Sequence, residues 1–183
     1  MSGATLKPVE EALVDVRALM QQAATGYKIV GGLAVIHHGY PRFTEDIDVL
    51  VEPSALAAID AAAAAHGCTV VSRTRLRHDA SGVNVDLLVS GDPIPRRAGE
   101  AYPSAAALEA SPRDSTIASL RALVELKLRA RRHQALADVG GLLKLLDDAA
   151  YINLESRVVA SLRAALTKLR DDALEELAAE RGA

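Results

Sequence analysis

Between residues 9 and 24 the apolar positions recur every three to four residues: Leu13, Val16, Leu19, Met20 and Ala23 share one side, and Glu10, Glu11, Asp15 and Arg17 fall elsewhere. This spacing predicts an amphipathic helix. The period then changes. Residues 27–30 form a short β-type run that ends at Gly31-Gly32, and the LAVIHHG that follows supports about two helical turns before Gly39 and Pro41 stop it. Residues 44–51 read as a second strand closed by Pro53. Ser54 opens an alanine-rich helix through Ala65 that Gly67 terminates. Residues 68–73 and 82–90 read as further strands, the second bounded by Ser81-Gly82 and Gly91-Asp92-Pro93.

From 91 to 112 the pattern fades into Pro, Gly, Ser and Ala, which predicts a long loop with a helical turn at 104–109. The remainder is expected to be helical, with Ser119 capping LRALVELKLRARR, a second helix over 135–146 and a longer one over 155–179. In the last of these, Val159, Leu162, Leu166, Leu169, Ala173 and Leu177 repeat at a 3-4 spacing that suits packing on the domain or a homodimer seam. The fold expected is α+β, a small mixed or antiparallel sheet flanked by helices. Residues 1–112 would form its core, and 113–183 a helical region packed on that core.

Composition narrows the classes. A chain of 183 residues buries a core without staples, and its single cysteine, Cys68, excludes an internal disulfide framework and a multi-cysteine zinc site. No run approaches about eighteen apolar residues, and MSGATLKPVEEAL lacks signal-peptide features, so a cytoplasmic protein with no membrane partner is expected. The net charge of −3 offers no broad basic field for duplex binding. One Phe and four Tyr leave little surface for stacking single-stranded bases. Two local basic clusters, Arg73, Arg75, Arg77, His78 and Arg129, Arg131, Arg132, His133, read as solvated faces.

The acids in the strands carry the chemistry. Side chains two apart on a strand share a face, so Asp46 and Asp48 project together while Ile47, Val49 and Val51 enter the core behind them. Carboxylates held so close repel, and a cation offsets that. Mg²⁺ takes oxygen ligands from a few carboxylates together with phosphate and water, whereas Ca²⁺ wants more protein oxygens than this segment offers. Asp86 interrupts VNVDLLV and shares a face with Asn84. If that strand lies beside the first, three carboxylates converge as a two-metal site requires. Gly31-Gly32 lies at a strand-to-helix turn where bare backbone can approach a phosphate. It meets Asp46 only if the two strands run antiparallel, which excludes a Rossmann crossover for this unit, as does the absence of G-x-G-x-x-G.

The order GGLA, HHG, PRFTEDID and NVDLLV resembles the nucleotidyltransferase fold of the DNA polymerase β superfamily, particularly the small prokaryotic proteins grouped with AbiEii-type toxins. The matching positions are Gly31, Gly32, Ala34, His38, Gly39, Arg42, Thr44, Asp46, Asp48 and Asp86. A weaker match over 120–140 resembles the family's helical motif, and the resemblance points Lys127 and Asp138 toward the active site. There are departures. Where relatives often carry Lys-Asp-x-x-Asp this chain has Gln134-Ala135-Leu136-Ala137-Asp138, and Gly-Gly stands in place of the Gly-Ser of many members.

The reading that results is an Mg²⁺-dependent nucleotidyltransferase: Asp46, Asp48 and Asp86 as ligands of two ions, and Gly31, Gly32, Arg42 and Thr44 around the NTP. The resemblance implies acceptors among tRNA ends, protein hydroxyls and small molecules, and the toxin role of a toxin–antitoxin pair with a cognate antitoxin. The rivals are a non-catalytic, antitoxin-like or interaction module on the same fold, and a phosphate-hydrolysing enzyme using the same triad. Arg42 either contacts phosphate or pairs with Glu45 or Asp86. His37 and His38 are consecutive on a short helix and make no metal pair; His38 reads as a hydrogen-bonded helix-end histidine.

Overall fold

The computed structural model describes residues 7–23, 26–95 and 97–182. The first six residues and residue 24, which entered the signal-peptide and helix expectations, lie outside them. In chain order the elements are α1 (Lys7–Ala23), β1 (Lys28–Ile29), α2 (Gly31–His37), β2 (Asp46–Val51), α3 (Leu56–Ala62), β3 (Cys68–Ser72), β4 (Arg75–His78), β5 (Asn84–Val89), β6 (Ala110–Ser111), β7 (Asp114–Ala118), α4 (Leu120–Ala130), α5 (His133–Lys144), α6 (Asp148–Arg157) and α7 (Ala160–Gly182). The class is α+β. Seven strands form one mixed sheet in the order β3-β4-β5-β2-β1-β7-β6. No described helix is long and apolar enough to cross a membrane.

Alternation in β2 and β5 divides the sheet into two faces. Ile47, Val49 and Val51 of β2 and Val85, Leu87 and Val89 of β5 are buried in one core with Val9, Val16, Leu19 and Met20 of α1 and Ile59 of α3. Each such side chain contributes about 1.5–3 kcal/mol, so this face anchors the sheet. The other parity faces away from α1. There Val30 and Leu50 pack with Ala105, Ala118 and Ala122, bordered by Leu88, Tyr102 and Leu126. Asp46, Asp48 and Asp86 belong to this second parity, at the end of the strands that the apolar patch leaves uncovered.

The pairing matches the antiparallel requirement: β1 runs antiparallel to β2, with Ile29 opposite Val49, and Val30 N–H donates to Asp48 O at 2.9 Å. Parallel pairing of β2 with β5 puts Asp48 directly opposite Asp86.

Three expectations change. The segment 75–78, read only as basic charge, is β4, because its RLRH alternates and buries Leu76 and His78 while Arg75 and Arg77 face solvent. The chain after 112 is not all helical. β6 and β7 form a hairpin across that position, and β7 joins the main sheet parallel to β1, with Ile29 opposite Ile117. Arg17 of α1 ties it down, donating to Thr116 Oγ1 at 2.6 Å and Asp114 Oδ2 at 2.8 Å. The long last helix expected over 155–179 begins later, as α7 at Ala160, and the segment before it, mostly given no element from sequence, forms α6, which starts at an N-cap, Asp147, whose side chain accepts from Ala150 N–H, and ends in extended backbone at Val158. By contrast, Ser119 caps α4 as expected, accepting from Ala122 N–H. The helices form their own cluster of Val124, Leu128, Val139, Leu143, Leu154, Val158, Leu162 and Leu166. The 3-4 seam of α7 is thus used within the chain.

Candidate active site

The site is built where β1 hands over to α2. Gly31 has φ +61°, and a Cβ there would lie inside the Asp48 carboxylate. A Cβ on Gly32 would stand 2.5 Å from Thr44 Oγ1 and 3.4 Å from Arg42 Cζ. The two glycines are therefore what let the acid-bearing strand and the 42–44 loop close against the helix start. Thr44 is buried and donates its hydroxyl to Asp46 Oδ1 at 3.0 Å, which orients that carboxylate.

Asp48 is the most perturbed acid of the group. Burial, and then the charges of Asp46 and Asp86, push its pKa up to about 6, against the opposing pull of Lys127 and Arg132. Asp46 and Asp86 are therefore close enough to disfavour the charged form of Asp48, in addition to its burial. Asp86 is held by Arg75 through Nε–Oδ1 at 2.6 Å and Nη2–Oδ2 at 3.1 Å.

The opposite wall comes from the helical region. Asp138, 1% exposed, accepts from Lys127 Nζ at 2.6 Å, Arg42 Nη1 at 2.8 Å and Gln134 Nε2 at 3.0 Å. Arg42 takes neither of the acids weighed for it from sequence, Glu45 or Asp86. It spans from the loop before β2 to α5 and also donates to Phe43 O at 2.9 Å. Gln134 stands at the departure from the family motif and supplies Asp138 with a third donor.

These walls enclose a solvent-open cavity of about 250 Å³ lined by Gly31, Gly32, Arg42, Asp46, Asp48, Asp86, Lys127 and Asp138, which brings together eight of the nine candidate residues. Thr44 lies behind Asp46. Leu88, Tyr102, Leu126 and Ala130 give the cavity an apolar side, and Arg132 and Gln134 complete its lining.

His37 and His38 stay outside it. Their rings meet edge to face at 5.1 Å, and each bonds a different partner: His37 Nε2 with Ser111 Oγ at 2.9 Å, His38 Nε2 with Ala118 O at 2.9 Å. Burial lowers the pKa of both.

Sequence reasoning passed over Arg75, Arg132 and Tyr102. The alternation of RLRH carried a signal for Arg75, since a strand there sets Arg75 and Arg77 on one face beside Asn84 and Asp86. Tyr102 lies in a loop that has no periodicity to read.

The donor set is three carboxylates, hard oxygen ligands of the kind a divalent cation takes, and Asp46 and Asp86 add to burial in raising the pKa of Asp48. Among the described residues no group of three or more His, Cys, Asp or Glu side chains is placed to hold a metal ion as they stand. Carboxylate donors of this kind suit a hard cation that completes its shell with water or phosphate. In comparisons with known proteins, no family model matches the chain and no curated protein matches its sequence.

Proposed function

We propose that this protein is an Mg²⁺-dependent nucleotidyltransferase with the fold of the DNA polymerase β superfamily, moving a nucleoside monophosphate from an NTP to an acceptor hydroxyl. One observation carries the reading: Asp48 and Asp86 face each other across parallel strands, with Asp46 on the same side, in a cavity whose far wall bears Lys127 and Arg42. Asp46, Asp48 and Asp86 would hold Mg²⁺, which neutralises triphosphate and acceptor oxygens when bound.

The remaining roles belong to the chain. Gly31 and Gly32 leave backbone bare at the cavity floor, where a phosphate can approach closely. Lys127 and Arg42, fixed by their shared bond to Asp138, present preorganised positive charge to the departing pyrophosphate. Thr44 keeps Asp46 aimed into the cavity. The apolar side around Leu88 and Tyr102 offers a surface for the nucleoside. Acceptors would come from tRNA ends, protein hydroxyls or small molecules, in the cytoplasm, with a toxin role and a cognate antitoxin following from the resemblance.

A second reading has an observation in its favour: Arg75 already neutralises Asp86, as a non-catalytic module would require. Incubation with Mg²⁺ and each α-labelled NTP, with and without total RNA, tests both. Label transferred to RNA, protein or a small molecule is the expected result. Free nucleotide alone points to hydrolysis, and no turnover despite metal binding points to the module.

A further inference from the structure

Three residues stand in a row across adjacent strands on the site face: Arg75 of β4 is opposite Asp86 of β5, and Asp86 is opposite Asp48 of β2. We propose that Arg75 is a resident counter-cation that competes with a divalent ion for Asp86. The inference rests on the nucleotidyltransferase reading and adds a residue to it. Arg75 grips both oxygens of Asp86 with two hydrogen bonds, so no lone pair directed at Arg75 is free for a metal until the guanidinium moves. It can move. Half of its side chain is exposed, and Asp86 is its one ion-pair partner among the described residues. In the metal-free protein it limits the repulsion among Asp46, Asp48 and Asp86; once displaced, it returns a cation to the mouth of the site.

The alternative is that Arg75 is a fixed structural brace of the β4–β5 pair. The two differ in sign. A brace would weaken metal binding when removed, by loosening Asp86, whereas a competitor would strengthen it. An exposed ion pair of this kind is worth at most about fivefold in a binding constant.

Mn²⁺ titration followed by electron paramagnetic resonance, on the full chain without nucleotide, reads this directly. Arg75→Gln should bind Mn²⁺ about three- to fivefold more tightly than the native protein, and Arg75→Lys should fall between them. Thermal melts in chelator establish that each variant is folded, and adding Mn²⁺ should raise the Tm of Arg75→Gln by more than that of the native chain. Saturable Mn²⁺ binding that is unchanged or weaker in Arg75→Gln overturns the inference and leaves the nucleotidyltransferase reading standing. No saturable binding by either protein also overturns the inference, and the labelled-NTP assay decides the nucleotidyltransferase reading separately.

Discussion

Asp48 shares its space with a glycine that has no side chain to give up, and this sets the behaviour of both residues. Its pKa, raised from 3.8 to about 6, means that the folded protein holds that proton more tightly than the unfolded chain does. Stability from this group therefore falls as pH rises from about 4 to 6, and by neutral pH the charged acid costs on the order of 3 kcal/mol. In chelating buffer Asp48→Asn should melt higher than the native protein at pH 7.5, with the gap closing by pH 4. The same variant should lose Mg²⁺-dependent triphosphate binding in calorimetry. Gly31→Ala meets two obstacles, a left-handed φ and the Asp48 carboxylate. It should cost about 3 kcal/mol in urea denaturation. Gly31→Ala with Asp48→Ala should recover only part of that loss, because the Cβ at position 48 still stands 2.8 Å from the new methyl and the left-handed backbone costs about 1 kcal/mol.

At the scale of elements, buried polar groups hold the junctions between helices. Arg170 of α7, 5% exposed, donates Nη1 to Leu143 O at 2.6 Å and Leu146 O at 3.0 Å, and Nη2 to Asp148 Oδ1 at 3.0 Å. It thus gives Leu143 O, which also accepts from Leu146 N–H at 3.2 Å, a second donor, and satisfies Leu146 O in the connection to α6. Arg170→Leu keeps the packing volume but strands Leu146 O. Urea denaturation should show a loss of about 2–3 kcal/mol, with faster amide exchange across α6 than across β2. Periodicity identified the apolar seam of this helix, whereas an arginine within it looks no different in sequence from a solvated one.

Across the whole molecule, Asp138 joins three separate parts: α4 through Lys127, α5 on which it sits, and the loop before β2 through Arg42. Because both Asp138 and Lys127 are buried, Asp138→Asn leaves a lysine without its counter-charge and should destabilise the fold by about 3–5 kcal/mol in chemical denaturation. Replacing the pair together, Lys127→Met with Asp138→Leu, should restore only part of that stability, since the buried lysine charge is gone but the partly exposed Arg42 still loses its partner. The double variant should still lose turnover if the proposed chemistry needs the cation at position 127.

Much of the architecture follows from local pattern. Two-residue alternation set the acids of β2 and β5 on one face and their apolar neighbours on the other, and the strand–Gly-Gly–helix order required β1 and β2 to be antiparallel. Such features depend on periods of two or 3.6 that any short window reveals. What sequence did not disclose is contact between segments far apart. The ion pair of Arg42 with Asp138 spans 96 positions, the hold of Arg75 on Asp86 crosses a hairpin read only as charge, and β7 finds its place beside β1 after nearly half of the chain has intervened. A charged side chain carries no local mark of its partner, and a two-residue edge strand has too few positions to show a period. Strand parity decided which way each acid points; only the closed tertiary fold decided which cations meet those acids, because that pairing is a competition in space among every charge the chain brings near.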